Sequence, residues 1–323
     1  MKKAGTGLLK RDESLKVFLV KLFTVLQSIA INPCWISLTS IYHFFSNQCR
    51  KALKSTQKSS AVYFFKTIYH VISELGFNPL NTIAFIRSIP VYTYQFINFW
   101  IKTKKIKQVP PMGTPFPCML DRYDSAGSLP KHYFHQDLWA ARKVYQNNPE
   151  HHIDVGSRID GFVAHVLTFR DIEILDVRPM TSNILGMTLR QADLIQSEDL
   201  PANIYDSLSC LHALEHFGLG RYGDPIDPEG YIKGLRSLTK LLKPNGTLLL
   251  SVPIGIERVE FNAHRIFSVE TIISLTESDY ELISFSYIDD NDDFHNNTKT
   301  VEVPDMMYGC GLFELKKKSK SLT

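Results

Sequence analysis

The period of hydrophobic and polar positions changes near the middle of the chain. From about residue 150 onward, short apolar runs alternate with stretches whose apolar positions recur every three or four residues, the signature of strands interleaved with helices. Ile153–Val155 reads as a strand and Ile159–Phe169 as a helix. Ile172–Val177, Leu185–Leu189 and Ser207–Leu211 read as further strands. Glu229–Leu242 reads as a helix ended by the turn Lys243-Pro244-Asn245-Gly246, and Thr247–Val252 as a strand apolar on both faces. Val269–Leu275 is a helix in pattern, and Tyr280–Tyr287 and Gly311–Leu315 are strands. Alternation of this kind predicts an α/β fold, a mainly parallel sheet with helices on both faces. Ligands of such sheets sit past the carboxyl ends of the strands.

Before residue 110 the pattern is helical and the chemistry sparse. Val17 to Ile31 is apolar but carries Lys21 and Gln27, and it falls short of the roughly 20 residues that cross a bilayer. Asp12 and Glu13 stand directly before it and no small-residue cleavage site follows, a poor match to a signal peptide. An amphipathic helix, packed on a neighbour or lying on a membrane surface, is the expectation. Gln48 to Ser60 is a basic linker, and Ala61 to Leu75 is an aromatic-rich helix stopped by Gly76. Asn78-Pro79 and Pro90 then open two short helices. Pro110-Pro111 and Gly113 to Pro117 form a breaker-rich boundary, so residues 1–109 are expected to be a helical extension and 110–323 the α/β domain.

Charge sharpens that division. Residues 1–110 hold 16 basic and 3 acidic side chains, a net of +13, whereas the rest of the chain carries −10. The basic part suits an anionic membrane surface, an acidic patch on a partner or simply solvent. No nucleic-acid-binding motif accompanies it, and no nucleic-acid partner is expected. The five cysteines lack CxxC spacing, which fits a reducing, cytoplasmic setting, with membrane contact at most peripheral, and gives no cysteine metal site.

Candidate chemistry gathers at the predicted strand ends. Asp154-Val155-Gly156-Ser157-Arg158-Ile159-Asp160-Gly161 is a strand, a glycine turn and the start of a helix, a natural seat for a polar or anionic ligand. Asp154 can order this loop or hold a ligand hydroxyl or ammonium. Asp176 follows 22 residues later, placed to hold two ribose hydroxyls. Asp193, before Leu194, can accept from an adenine amino group.

These stretches resemble the class I S-adenosylmethionine-dependent methyltransferases, over roughly residues 150–316. Asp154 to Gly161 is similar to their glycine loop, Asp176 to the ribose acid and Asp193 to the adenine acid. Asp206 to Phe217 resembles their FDxVxxxxxLEHF segment, Leu241 to Leu250 the LLKPGGxLxxS turn, and His264-Arg265-Ile266-Phe267-Ser268 an HxRxFS segment. More narrowly, Tyr133 to Asp137, Asp154 to Phe162, His216 to Pro225 and Glu257 to Arg265 resemble the uncharacterised family called domain of unknown function 268. The resemblance implies a Rossmann-like class I methyltransferase sheet and S-adenosylmethionine as cofactor. It implies cofactor contacts from Asp154, Gly156, Ser157, Arg158, Gly161, Asp176, Asp193, Leu194, Leu211 and His212, and a small-molecule or sugar acceptor methylated on oxygen or nitrogen. One departure stands out: Arg158 occupies the place of the family's second glycine. Either the loop is shaped differently, with Gly161 taking over, or Arg158 meets the methionyl carboxylate, or cofactor binding is lost and the fold serves as a nucleoside-binding or scaffold module.

Around the expected methyl position, His216, Glu215 and His264 are candidate acid–base groups, with loop capping as the alternative for Glu215 and His216. Gly220 to Pro228 reads as an acceptor-binding lid carrying Arg221, Tyr222 and Asp224. Glu257 and Arg265 would form the opposite wall, or Arg265 a structural pair with an acid. His212-Ala213-Leu214-Glu215-His216 also spells the inverted zinc-protease motif, a competing zinc-hydrolase reading if both histidines share a helix face. The α/β alternation weighs against it, and no metal is expected. A nicotinamide oxidoreductase would need the G-x-G-x-x-G turn that this chain lacks.

Overall fold

The computed structural model describes residues 69–70, 72–103, 115, 117–120, 131–179, 183–196 and 200–319. Contacts divide the chain into two units, Met1–Ser128 and Leu129–Thr323. The apolar run Val17–Ile31, the basic linker Gln48–Ser60, residues 104–114 around the expected boundary, and the loop Asp121–Gly127 lie outside the described residues.

In the first unit a single helix, α1 (Pro79–Thr103), replaces the two short ones expected. Asn78 starts it, its side-chain oxygen accepting from the Asn81 N–H at 3.1 Å. Pro90 lies inside it without ending it. A mid-helix proline frees the carbonyl four residues back, here that of Ile86, which stands on an exposed surface where solvent can serve it.

The second unit opens with α2 (His132–Asn147), ended by Asn148 in the left-handed region at φ 39°. Then come β1 (His152–Val155), a π-helical turn (Ile159–Val163) running into the short α3 (Ala164–Val166), β2 (Ile172–Asp176), β3 (Met187–Gln191) and β4 (Tyr205–Leu211). A 3₁₀ turn (Leu214–His216) and a long loop lead to α4 (Gly230–Leu241) and β5 (Leu242–Ile254). The hairpin β6 (Arg258–Glu260) and β7 (His264–Ile266), helix α5 (Val269–Thr276), β8 (Tyr280–Ile288), β9 (Phe294–His295) and β10 (Gly309–Lys317) complete it.

The main sheet has the order β3-β2-β1-β4-β5-β10-β8-β9. Strands β3, β2, β1, β4 and β5 are parallel, and β10 runs antiparallel between β5 and β8. The order reverses between β1 and β4, so the loops after these strands diverge and leave a crevice at their carboxyl ends. Side chains alternate between the two faces of the sheet. Ile153, Val155, Leu208, Leu248 and Leu250 pack with Leu235, Leu238 and Leu241 of α4 and Ile272 of α5. Ile172, Ile174, Leu249 and Leu312 pack with Trp139, Ala140 and Val144 of α2 and with Phe162, Val163 and Val166. Both faces are therefore covered, as the continuous apolar strands require.

Local differences have local causes. The third strand lies two residues later than Leu185–Leu189, because Gly186 adopts φ 79° and belongs to the preceding turn. Lys243 to Gly246 is taken into β5 as an irregularity: Tyr205 pairs with Leu242 and Ser207 with Thr247, and Asn245 supplies the bend at φ 63°. The helix expected over Ile159–Phe169 is broken at Gly161, whose φ −116° and ψ −108° are not helical.

Candidate active site

Asp154 is fully buried on β1 and serves the loop that follows. Its carboxylate accepts from the Ser157 N–H (3.0 Å), the Ser157 hydroxyl (2.7 Å) and the Ser209 hydroxyl of β4 (2.5 Å). Burial outweighs these three donors and raises its pKa to about 6. Gly156 turns the chain at φ 69°, and a Cβ there would stand 3.1 Å from the Cβ of Ala213, so a bare backbone lets the loops after β1 and β4 meet. Arg158 does not enter the crevice. Its guanidinium makes a two-pronged pair with Asp160 (2.8 and 3.1 Å) and lies over the ring of Tyr133. Gly161 is backed by the carboxylate of Asp137, which fills the space a side chain would need.

A cleft of about 620 Å³, counting its solvent-open mouth, lies over the carboxyl ends of these strands. Gly156, Asp176, Arg178, Asp193, Leu194, His212, His216, Tyr222 and Asp224 line it, with Leu175, Ala192, Ile195 and Phe217 as apolar wall. The sequence candidates Asp154, Ser157, Arg158, Gly161 and Leu211 stand outside it. Asp154 and Ser157 are buried beneath, holding the loop in shape, and Leu211 packs in the core on the α2 face. Asp176 accepts from the Arg178 N–H (2.8 Å) and from its guanidinium (2.9 and 2.6 Å), and that guanidinium stacks on Tyr222 at 4.7 Å. One oxygen of Asp193 accepts from the Ile195 N–H (2.8 Å).

Glu215 lies at the centre of the histidines. It is fully buried, with one oxygen 2.8 Å from Nδ1 of His212 and 3.8 Å from Nε2 of His216. Burial works against its charge, but His212 outweighs this and the carboxyl titrates below its usual range. Burial likewise opposes a charge on His212, while Cys310 and Glu215 favour one and hold the imidazole above its usual range. His216 Nδ1 is 2.6 Å from the carbonyl of Ala263. A carbonyl only accepts, so Nδ1 carries the proton and Nε2 is the basic atom. Burial lowers the pKa of His216, keeping the ring neutral near pH 7. His264 does not line the cleft; its Nε2 is 3.3 Å from Glu260 and its ring faces Tyr308.

The zinc-hydrolase reading fails on backbone geometry. His212 has φ 50° and Ala213 is non-helical, so His212 and His216 do not share a helix face. The expected acceptor wall is also corrected. Arg265 is buried and donates to the carbonyls of Phe217 (2.6 Å), Pro228 (3.2 Å) and Glu215 (3.3 Å), clamping the loop after β4 from behind. Burial lowers its pKa. Glu257 accepts from the Thr271 hydroxyl at 3.1 Å and lies outside the cleft. Asp224 accepts from the Gly218, Gly220 and Tyr222 N–H groups and so shapes the lid loop that it was expected to arm. Arg221 donates to the Ala263 carbonyl at 3.1 Å and stacks on Tyr222.

Sequence reasoning missed Arg178, since an arginine two residues past a strand has no distinctive spacing. It also missed a buried polar chain. The His212 N–H donates to the Ser251 hydroxyl (3.0 Å), that hydroxyl to Gln136 (2.5 Å), and the Gln136 amide to Asp137 (3.0 Å), which backs Gly161. The only signal was two polar residues at positions of α2 that face the core.

Residues 157–306, just under half of the chain, match the family described as Caenorhabditis protein of unknown function, DUF268. No curated protein matches the sequence. Among solved structures the chain is similar to the N-methyltransferase NodS from Bradyrhizobium japonicum WM9 in complex with S-adenosyl-L-homocysteine. The identity is 10%, covering 59% of this chain and 90% of that one, with a TM-score of 0.40. It is also similar to 1,6-didemethyltoxoflavin-N1-methyltransferase from Burkholderia thailandensis with bound 1,6-didemethyltoxoflavin and S-adenosylhomocysteine. There the identity is 13%, covering 58% and 80%, with a TM-score of 0.40.

Proposed function

From an α/β unit that has the Rossmann-like class I methyltransferase sheet and carries the DUF268 segment, we propose that the cleft binds S-adenosylmethionine for methyl transfer to an oxygen or nitrogen of a small-molecule or sugar acceptor. One observation carries this reading. Asp176 at the carboxyl end of β2 and Asp193 just past β3 both line the cleft that the Gly156 turn borders. The residues present suit a nucleoside: a carboxylate for adjacent ribose hydroxyls, and the apolar side chains of Leu175, Ala192, Leu194 and Ile195 for a flat base. Arg158 stands where a second glycine is usual, but its side chain turns outward and leaves the cleft open.

S-Adenosylmethionine, when bound, supplies a methyl group on a positively charged sulfur. The chain supplies position and a base. His216 presents a neutral ring whose Nε2 takes the proton that the acceptor hydroxyl or amine gives up. Tyr222, stacked against Arg178 and Arg221, lines the cleft. A second reading, a scaffold module without turnover, is favoured by the carboxylate of Asp176 being already engaged by Arg178.

Calorimetric titration of the full chain with S-adenosylmethionine, S-adenosylhomocysteine and NAD tests the reading. The first two are expected to bind and NAD to give no heat. Absence of binding by both sulfur compounds overturns it.

The basic first 109 residues are assigned to peripheral contact with an anionic membrane. On α1 the side chains of Phe85, Ile86, Ile89, Tyr94 and Phe99 are exposed, and no helix among the described residues is long and apolar enough to cross a membrane. The full chain is expected to cosediment with phosphatidylserine vesicles at low salt; retention in the supernatant removes this assignment.

A further inference from the structure

Three soft or nitrogen donors from distant parts of the chain converge below the cleft. His132 begins α2, His212 follows β4, and Cys310 lies on β10. One donor atom from each lies within 4.8 Å of the others, and all three residues are buried. We propose that His132, His212 and Cys310 form a binding site for a zinc-type divalent ion.

A buried histidine beside a buried cysteine is by itself ordinary core chemistry. What distinguishes this cluster is an unanswered atom. Nδ1 of His212 is hydrogen-bonded to Glu215, and Nε2 of the same ring, buried beside Cys310, makes no hydrogen bond of good geometry among the described residues. A buried polar atom left unpaired costs about 1–3 kcal/mol, so a persistent one calls for an occupant. A histidine with a carboxylate behind one nitrogen and the other nitrogen aimed at a thiol and a second imidazole has the arrangement used to orient metal ligands.

The other two donors are held in position by packing and backbone pairing. The ring of His132 is held between those of His212 (5.9 Å) and Tyr308 (5.3 Å), and Asp292 stands 3.7 Å from its Nε2. Backbone pairing with Pro253 and Ile288 on either side fixes Cys310. Two imidazoles and a thiolate are donors of the class that selects zinc over magnesium or calcium. Tetrahedral zinc brings such donors to roughly 3.3–3.6 Å from one another, so binding draws the three together by about 1 Å. Binding displaces protons from the imidazoles and the thiol. Three protein donors leave one coordination position, and His212 lines the cleft.

This inference does not rest on the nucleoside reading, because ion binding is read separately from S-adenosylhomocysteine binding. The full chain, stripped with a chelator and dialysed, is titrated with zinc against a chromophoric competitor and with cobalt followed by absorption. One equivalent of each is expected, with a thiolate-to-cobalt charge-transfer band. Cys310→Ser should abolish the band, and His132→Gln should weaken zinc binding at least ~100-fold. Glu215→Gln should weaken it ~10- to 100-fold through the ring it orients. Cys118→Ser, at an exposed cysteine outside the cluster, should change nothing. Failure of the wild-type chain to take up either ion overturns the site, as does a charge-transfer band that survives Cys310→Ser. A chain that binds S-adenosylhomocysteine but neither metal overturns this inference alone.

Discussion

Arg178 grips both carboxylate oxygens of Asp176, at 2.9 and 2.6 Å, and lays the same guanidinium against Tyr222. The acid placed to meet a ribose is thus held by a residue that also contacts the lid. An ion pair whose guanidinium is half exposed is worth on the order of 1 kcal/mol, or roughly five-fold in an equilibrium. Arg178→Ala should therefore tighten S-adenosylhomocysteine binding by up to ~5-fold. Asp176→Ala should weaken it at least ~10-fold. Calorimetry on the two variants checks both signs, and unchanged affinity in Asp176→Ala would remove the ribose assignment.

Gly161 and Asp137 share one volume. A methyl group at position 161 collides with the carboxylate of Asp137, which its hydrogen bond to Gln136 holds in place. Gly161→Ala should cost ~2 kcal/mol of stability. Most of that loss should vanish when it is made in an Asp137→Ala background, a coupling that a double-mutant cycle by urea denaturation measures. Additive losses would mean that the backbone angles of Gly161, rather than its neighbour, set the requirement.

The buried groups on β1 titrate in opposite senses. Asp154 has its pKa raised to about 6 by burial, whereas burial lowers His152, which is bonded to Ser207 and Ser209, to about 3. A carboxyl raised in the folded state holds its proton longer than in the unfolded chain, so its contribution to stability falls as pH rises from about 4 to about 6. A lowered histidine does the reverse, losing stability as pH falls below about 6.5. Relative to wild type, Asp154→Asn should remove a gain of about 2–3 kcal/mol on acidification from pH 6 to pH 4. His152→Gln should remove an opposing loss. Denaturation curves across that range test the pair; a pH slope unaltered in both variants would contradict it.

Arg265 holds the loop after β4 by its carbonyls, a task a lysine cannot copy because its three donors leave from one atom. Arg265→Lys should destabilise the domain by about 2–3 kcal/mol. Amide hydrogen exchange should accelerate first over residues 214–228. Uniform acceleration across the sheet would instead indicate a general loss of packing.

His216 gives a spectroscopic test. With Nδ1 donating to Ala263, its nitrogen chemical shifts should report the Nδ1–H neutral form at pH 7, and protonation should come below pH 6.5. A ring protonated at pH 7 would disqualify it as the base.

Those features of the site set by local chain chemistry were legible in the sequence. The Gly156 turn, the acids Asp176 and Asp193, and the strands that carry them follow from short-range pattern, since a strand's end and a glycine's freedom need no distant partner. Residues whose meaning comes from across the fold were misread. Arg265 looked like one wall of a pocket because its carbonyl partners come from a loop some forty residues earlier. Gly161 looked like the continuation of a helix because Asp137, which leaves no room for a side chain there, belongs to α2. Pro90 looked like a helix boundary because sequence alone does not reveal that the turn before it is solvent-exposed. Cys310 and His132 carried no signal at all: their proximity exists only once β10 lies in the sheet.

That strand is made after every other strand of the sheet, yet it sits between β5 and β8 and pairs with both along most of their length. Until it emerges from the ribosome, β5 and β8 each present a bare hydrogen-bonding edge to whatever else is in solution. The nascent chain is therefore at its stickiest just before the domain closes. A chain released with a truncation upstream of residue 309 is a species for chaperones to shield, whereas one truncated past Lys317 keeps a sheet with its centre sealed.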